Sequence, residues 1–203
     1  MARKKSKPEK KPPSLPNRLL RGLEEADVFI EQERWAEAQE LLLDLDLRFP
    51  DQPEVLAPLA HVCIEQQKWA EFLYASERLA LHDPDDPELQ LALAGAYLSS
   101  NFPASALITM RAFLQRWPSH EEAEEAQHML AELEGELDKL FAQERCLFPE
   151  GVQSKQVFSD WLKLLREMES VENLAIQGRF RQAIARGEAA LRQSPDFVPL
   201  LNK

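Results

Sequence analysis

Apolar residues recur along most of this chain at spacings of three and four positions, which places them on one face of an α-helix. The first such series begins at Leu19 and continues to Ile30. After a short polar break, a second series begins at Trp35 and ends at Phe49-Pro50, because proline cannot continue the helical hydrogen-bond ladder. The pattern predicts two amphipathic helices joined by a tight turn.

The same pair of helices is predicted twice more. Pro50, Pro84 and Pro118 close successive segments at intervals of 34 residues. A fixed period of this length is typical of a repeat array, in which each unit buries its apolar face against the next. Residues 17–118 are therefore predicted to form three helix pairs.

The rest of the chain follows this period less closely. Residues 119–153 are predicted to hold a degenerate repeat, with a long helix over 120–142 that starts at a capping box of Ser119 and Glu122, and then a loop. Residues 154–197 predict a further helix pair, with helices over 155–176 and 180–193. Residues 198–203 look like the start of a truncated next helix. The apolar Leu200 and Leu201 predict a fragment of a longer array, or pairing and self-association at this uncapped end.

Helix pairs of 34 residues with these side chains resemble tetratricopeptide repeats. The family places a small residue where the two helices of a pair cross, and three alanines stand at that position: Ala26, Ala60 and Ala94. An aromatic residue opens the second helix as Trp35 and Trp69, whereas Pro103 departs from the pattern. His128 occupies the small position of the long helix, which marks that copy as degenerate.

This resemblance implies an all-α fold, a right-handed α-α superhelix that forms a solenoid of helix pairs. In the family, the first helix of each pair lines a concave groove that holds peptide segments. Carried over to this chain, the groove-lining positions are Leu23, Asp27, Ile30, Glu31, Ala57, His61, Ile64, Glu65, Leu91 and Leu98.

Such a groove would have an apolar floor and acidic walls, which suits an apolar or basic segment of a partner protein. The alternative is that its apolar residues simply pack under a neighbouring helix. Some family members grip the acidic tail of heat-shock chaperones with Lys and Asn on these helices. Here Asp27, His61 and Gly95 stand where the gripping Asn would, so binding of that tail is not expected.

Charge divides the chain into two parts. The net charge is −11, yet residues 1–18 contain seven Lys or Arg and one Glu, which leaves 17 basic and 34 acidic residues elsewhere. Residues 1–16 are rich in charge and proline and are predicted to be a disordered tail. The tail is either a solubilising leader or a polyanion-binding segment, with its basic residues at Arg3, Lys4, Lys5, Lys7, Lys10 and Lys11.

Sequence motifs for catalysis, phosphate binding or metal binding are weak. The sequence has no His-Glu-x-x-His, no Gly-rich phosphate loop, no Gly-x-Ser-x-Gly and no Cys-x-x-Cys. Glu125 and His128 have the spacing of half a carboxylate-bridged di-iron site, but no second copy occurs, so a solvated helix face is favoured. We therefore predict a protein that is not an enzyme and that binds neither a cofactor nor a metal.

The expected location in the cell rests on three features that the sequence lacks: a disulfide framework, a membrane span and a secretory signal. Cys63 and Cys146 make no disulfide framework, and no apolar run approaches the 18 residues that a membrane span needs. No apolar run follows the basic start, so a secretory signal is not predicted. A cytoplasmic protein is the expectation.

Three functions remain open at this stage. The first is a protein-interaction scaffold or adaptor that uses the groove. The second is a polyanion- or nucleic-acid-associated adaptor that is anchored by the basic tail. The third, by resemblance to small tetratricopeptide chaperones of bacterial secretion systems, is a chaperone that holds apolar segments of its clients.

Overall fold

The computed structural model describes residues 15–144 and 154–193, and every regular element in these two ranges is an α-helix. The basic tail, the loop around Cys146 and the predicted helix start at 198–203 lie outside the described residues. The helices are α1 (Asn17–Glu31), α2 (Trp35–Arg48), α3 (Pro53–Glu65), α4 (Trp69–His82), α5 (Pro87–Ser99), α6 (Pro103–Arg116), α7 (Ala123–Glu144), α8 (Ser154–Ile176) and α9 (Phe180–Gln193).

The helices pack in consecutive pairs. In each pair the first helix packs against the second, as in α1 with α2, α3 with α4 and α5 with α6, and each second helix also packs against the next first helix. Ala26 and Ala94 are fully buried where the helices approach closely, and Ala60 is nearly so. The predicted all-α solenoid of stacked helix pairs is confirmed.

The turn inside each pair has the same backbone conformation. Glu33, Gln67 and Asn101 all have a positive φ, of 55°, 55° and 61°, and they are spaced by the repeat period. Around Gln67, the N–H of Lys68 donates to the carbonyl of Cys63 at 2.9 Å, and the N–H of Gln67 donates to Ile64. This pair of bonds is the Schellman motif, which satisfies the last carbonyls of a helix.

The long helix begins later than the sequence predicts. α7 starts at Ala123 rather than at residue 120. The N–H of His120 donates to the carbonyl of Trp117, and the N–H of Ala123 donates to His120, so these residues form turns before the helix. The carbonyl of Glu122 accepts the first helical bond, from Ala126, and the proposed capping box at Ser119 is therefore wrong.

α8 does not continue the regular stacking, because it packs across α6. Its Trp161 and Leu162 share a buried cluster with Leu137 of α7 and Leu107 of α6. Farther along α8, Asn173 donates to Glu77 of α4 at 3.0 Å. α9 then packs along α8. The last pair is thus fixed to the second helices of the preceding repeats.

Candidate partner-binding groove

The first helices α1, α3 and α5 carry the predicted groove residues in equivalent positions, 34 residues apart. The structure leaves six of these residues exposed: Asp27, Glu31, Ala57, His61, Ile64 and Glu65. Ile64 is 42% exposed, so a large apolar side chain lies on this surface. Leu23, Ile30, Leu91 and Leu98 are half-buried.

The half-buried residues have a packing role as well as a free surface. Leu23 and Ile30 contact the main buried cluster of the first two repeats. Leu91 and Leu98 contact a second cluster that contains Met110 and Phe113. The alternative interpretation, in which these residues pack under a neighbouring helix, therefore accounts for part of the surface of each.

Open space is found between α5 and α7. One hollow has a volume of about 150 Å³, and Met110 of α6 contributes to it. Its apolar lining is Leu91, Gly95, Met110, Ala126 and Met129, and its acidic lining is Glu122 and Glu125. A Cβ atom built on Gly95 would meet no atom within 4 Å, so this glycine leaves the hollow open.

A second hollow of about 140 Å³ lies beside the first and shares Met129 with it. Its remaining lining is Leu98, Glu132, Leu133 and Glu136. We call the two hollows together the α5–α7 groove. Leu91, Gly95 and Leu98 form one wall, and Glu122 together with the face of α7 from Glu125 to Glu136 forms the other.

The charge of this groove comes from α7 and from Glu122, the residue just before it. Four glutamates line it, at residues 122, 125, 132 and 136, and no Lys or Arg does. His128 is not among the lining residues and its side chain is 77% exposed, with its Nδ1 3.8 Å from Glu132. The groove therefore combines an apolar floor with a strongly negative rim.

Sequence reasoning identified Leu91 and Leu98 but missed the α7 half of the groove. The helix was interpreted as a degenerate copy with a solvated Glu-rich face. The available signal was the apolar series Ala126, Met129 and Leu133, which recurs at spacings of three and four within that Glu-rich helix.

Two contacts hold α7 and α6 in place. Arg111 of α6 donates through Nε and Nη2 to one oxygen of Glu134, at 3.0 and 2.7 Å. At the start of α6, Glu169 of α8 accepts from the N–H groups of Ala104 and Ser105 at 2.8 and 2.7 Å. Burial raises the pKa of Glu169 above the ordinary value, although the hydrogen bonds from Ser105 and Ala104 oppose this shift.

The thiol of Cys63 belongs to the packed core. Cys63 is fully buried, and desolvation raises its pKa to about 12, so the thiol stays protonated at neutral pH. Within residues 15–144 and 154–193, no three His, Cys, Asp or Glu side chains are grouped as a metal site would require. No described helix is both long and apolar enough to cross a membrane.

Comparison with known proteins finds a likeness to solved structures and none to protein-family profiles or curated sequences. No protein-family profile matches the chain, and no curated protein sequence matches it either. Consecutive packed pairs with this period are consistent with a tetratricopeptide repeat protein. Among solved structures, the chain is similar to one described as the first TPR of Spaghetti (RPAP3) bound to HSP90 peptide SRMEEVD. The identity is 15% and the TM-score is 0.47, over 59% of this chain and 93% of that one.

Proposed function

We propose that this chain is a non-catalytic interaction scaffold that holds an apolar, basic segment of another protein in the groove along its first helices. The observation that carries this proposal is the α5–α7 groove, where an open apolar floor lies between two rows of side chains, one of which bears four glutamates. An apolar lining with a few charged groups is common to binding sites, and hollows of about 150 and 140 Å³ are below the roughly 300 Å³ of a small-molecule pocket, so they suit single side chains of a partner.

The chemistry of the groove defines the class of segment that it suits. Leucine and methionine side chains favour apolar anchors, and methionine adapts to anchors of different shape. Glutamates on the rim attract Lys or Arg that flank the anchors and raise the association rate by charge complementarity. An apolar segment with flanking basic residues therefore fits this groove, whereas an acidic one is repelled.

The earlier repeats extend the same surface. Ile64 and His61 on α3 occupy positions equivalent to Leu98 and Gly95 on α5, and both are exposed. Asp27, Glu31 and Glu65 add exposed negative charge beside them. A longer segment could follow this row of first helices from α7 towards α1, with α5–α7 as its deepest contact.

A matched pair of variants tests the proposal. Gly95→Trp fills the groove, and Gly135→Trp introduces the same side chain on α7 where a Cβ also meets no atom within 4 Å but no hollow is lined. Both changes replace a glycine inside a helix, so neither costs helix propensity. Affinity capture from native lysate at low and moderate salt would compare these two baits with the intact chain and with a chain that lacks residues 1–16.

Binding in the groove would be supported by a partner that the intact chain, Gly135→Trp and the chain without its tail all retain. The same partner should be lost from Gly95→Trp. A partner that disappears when the tail is removed, but is still bound by Gly95→Trp, would instead assign binding to the tail. Raised salt weakens charged contacts at both surfaces, so the tail deletion is the comparison that separates them. A partner that is bound equally by both tryptophan variants would also contradict the proposal.

A further inference from the structure

The final helix pair exposes an apolar stripe. Ile176 at the end of α8 and Phe180 and Ile184 on α9 are 55%, 63% and 62% exposed. Phe180 and Ile184 are four residues apart on α9, so they lie on the same face of that helix. Ile176 ends α8 just before the turn that leads into α9. Ala183 is buried on the side of α9 that packs along α8. Rows of large exposed apolar side chains on a folded surface mark interaction sites.

This stripe lies among positive charges, in contrast to the acidic chain as a whole. Arg179, Arg181 and Arg192 are all exposed on or next to α9. Arg186 is held by a bidentate ion pair with Glu167 of α8, at 2.9 and 3.0 Å, and one acidic residue, Glu188, lies on α9. The segment from Arg179 to Gln193 therefore carries four arginines and one glutamate.

The stripe and the α5–α7 groove match in chemistry. One is apolar with basic flanks, and the other is apolar with an acidic rim. α9 has 14 residues, which is about 21 Å of helix at the standard rise. The groove lining on α7 runs from Glu125 to Glu136, which is about 17 Å of helix, so α9 is long enough to cover it.

We propose that α9 of one molecule occupies the α5–α7 groove of a second copy of this chain. The inference rests on the proposed function, because it names one partner for the same groove. Phe180 and Ile184 would insert between the α5 wall and Met129, and Arg181 would approach the glutamates on the rim. The donor surface and the acceptor surface differ, so the contact is head-to-tail and produces either a ring or an open chain.

Sedimentation velocity of the full chain tests this directly, over a protein concentration series in about 0.05 M and about 0.5 M salt. The groove variant is Gly95→Trp, with Gly135→Trp as its control. The stripe variant combines Phe180→Asp with Ile184→Asp, and Arg181→Glu is a milder change on the same helix. Circular dichroism of each variant reports whether the helices are retained.

The intact chain and Gly135→Trp are expected to associate, more strongly at low salt. The groove variant and the stripe variant are each expected to weaken association at least tenfold, and Arg181→Glu by a smaller factor. The decisive sample is an equimolar mixture of the groove variant and the stripe variant. One variant retains an intact α9 and the other an intact groove, so the mixture should form a one-to-one dimer and nothing larger.

Three results would overturn the inference. The first is an intact chain that remains monomeric at every protein concentration and in both salts. If such a chain associates once residues 194–203 are removed, its own end would be the segment that covers the stripe. The second is a mixture of the variants that stays monomeric, because an intact α9 on one molecule and an intact groove on the other would then fail to bind each other. The third is association that survives Gly95→Trp. A monomeric chain whose captured partners are still lost from Gly95→Trp would refute self-association and leave the proposed function standing.

Discussion

Glu169 and Ser105, 64 residues apart in the chain, are joined by two hydrogen bonds to the same carboxylate oxygen. Glu169 Oε2 accepts from the backbone N–H of Ser105 at 2.7 Å and from its hydroxyl at 2.6 Å. Pro103 at the first position of α6 has no N–H, so Glu169 satisfies the next two N–H groups, those of Ala104 and Ser105. A side chain of α8 thus caps α6 and fixes the last helix pair to the array.

Removal of this cap should destabilise the protein. Glu169→Ala leaves two buried N–H groups of α6 without acceptors, and we expect the free energy of unfolding to fall by about 3 kcal/mol. Chemical denaturation measures the loss. Ser105→Ala is the matched control, since it removes only one hydroxyl and should cost about 1 kcal/mol. Equal losses for the two variants would contradict the capping role.

Protonation of Glu169 gives a pH dependence of definite sign. Burial raises the pKa of Glu169 in the folded state above its unfolded value, with Arg166 opposing the shift. The folded state therefore binds this proton more tightly, and the stabilisation is full below the ordinary pKa of Glu and is lost as the pH rises through the raised pKa.

The wild type should consequently exceed Glu169→Gln in stability by more at pH 4 than at pH 7. Denaturation of both proteins at a series of pH values, with the difference taken at each pH, isolates this residue from the many other carboxylates. A difference that grows as the pH rises would show that the hydrogen bonds to the carboxylate outweigh its burial.

Two helical glycines should respond in opposite directions to the same change. A Cβ built on Gly22 would lie 2.6 Å from Leu45 Cδ2, because α1 and α2 approach closely there, whereas Gly95 has open space. Gly95→Ala should raise the free energy of unfolding by about 0.5–1 kcal/mol through helix propensity. The free energy of unfolding of Gly22→Ala should be lower than that of Gly95→Ala by at least about 1 kcal/mol, because the added methyl group overpacks the core. Thermal or chemical denaturation of both variants makes the comparison, and equal effects would refute the close approach.

Cys63 should be inert towards thiol reagents while the protein is folded. The side chain is fully buried, and its pKa is raised to about 12, first by burial and then by Glu71. In a Cys146→Ser variant, labelling at pH 8 should proceed only as fast as the protein opens, and denaturant should make it immediate. Rapid labelling of the folded variant would show that the α2–α3 packing around Cys63 opens readily.

The repeat architecture could be predicted from the sequence because it depends on local signals. Prolines at a fixed period and alanines at the helix crossings are visible in the chain itself. The turns were less visible, since Glu33 and Gln67 adopt a left-handed conformation that usually selects glycine. Among the described residues that have a positive φ, the one glycine is Gly178, with a φ of 71°.

Long-range contacts account for what the sequence did not indicate. Pro103 departs from the aromatic pattern in the sequence, and in the structure Phe102, just before α6, is 4% exposed and lies in the main core. The pairing of Glu169 with α6 joins residues whose spacing follows no helical period. The groove face of α7 becomes apparent only when α5 and α6 place Leu98 and Met110 beside it.

The most direct test of the groove is site-specific photo-crosslinking in the native host. A photoreactive residue would replace Met129 in the α5–α7 groove or, as the control, Leu81 on α4, which is 80% exposed and lines neither hollow. The account predicts a covalent adduct with a polypeptide, either another protein or a second copy of this chain, from position 129 and none from position 81. Adducts from position 81 alone, or equally from both positions, would contradict the assignment of binding to this groove.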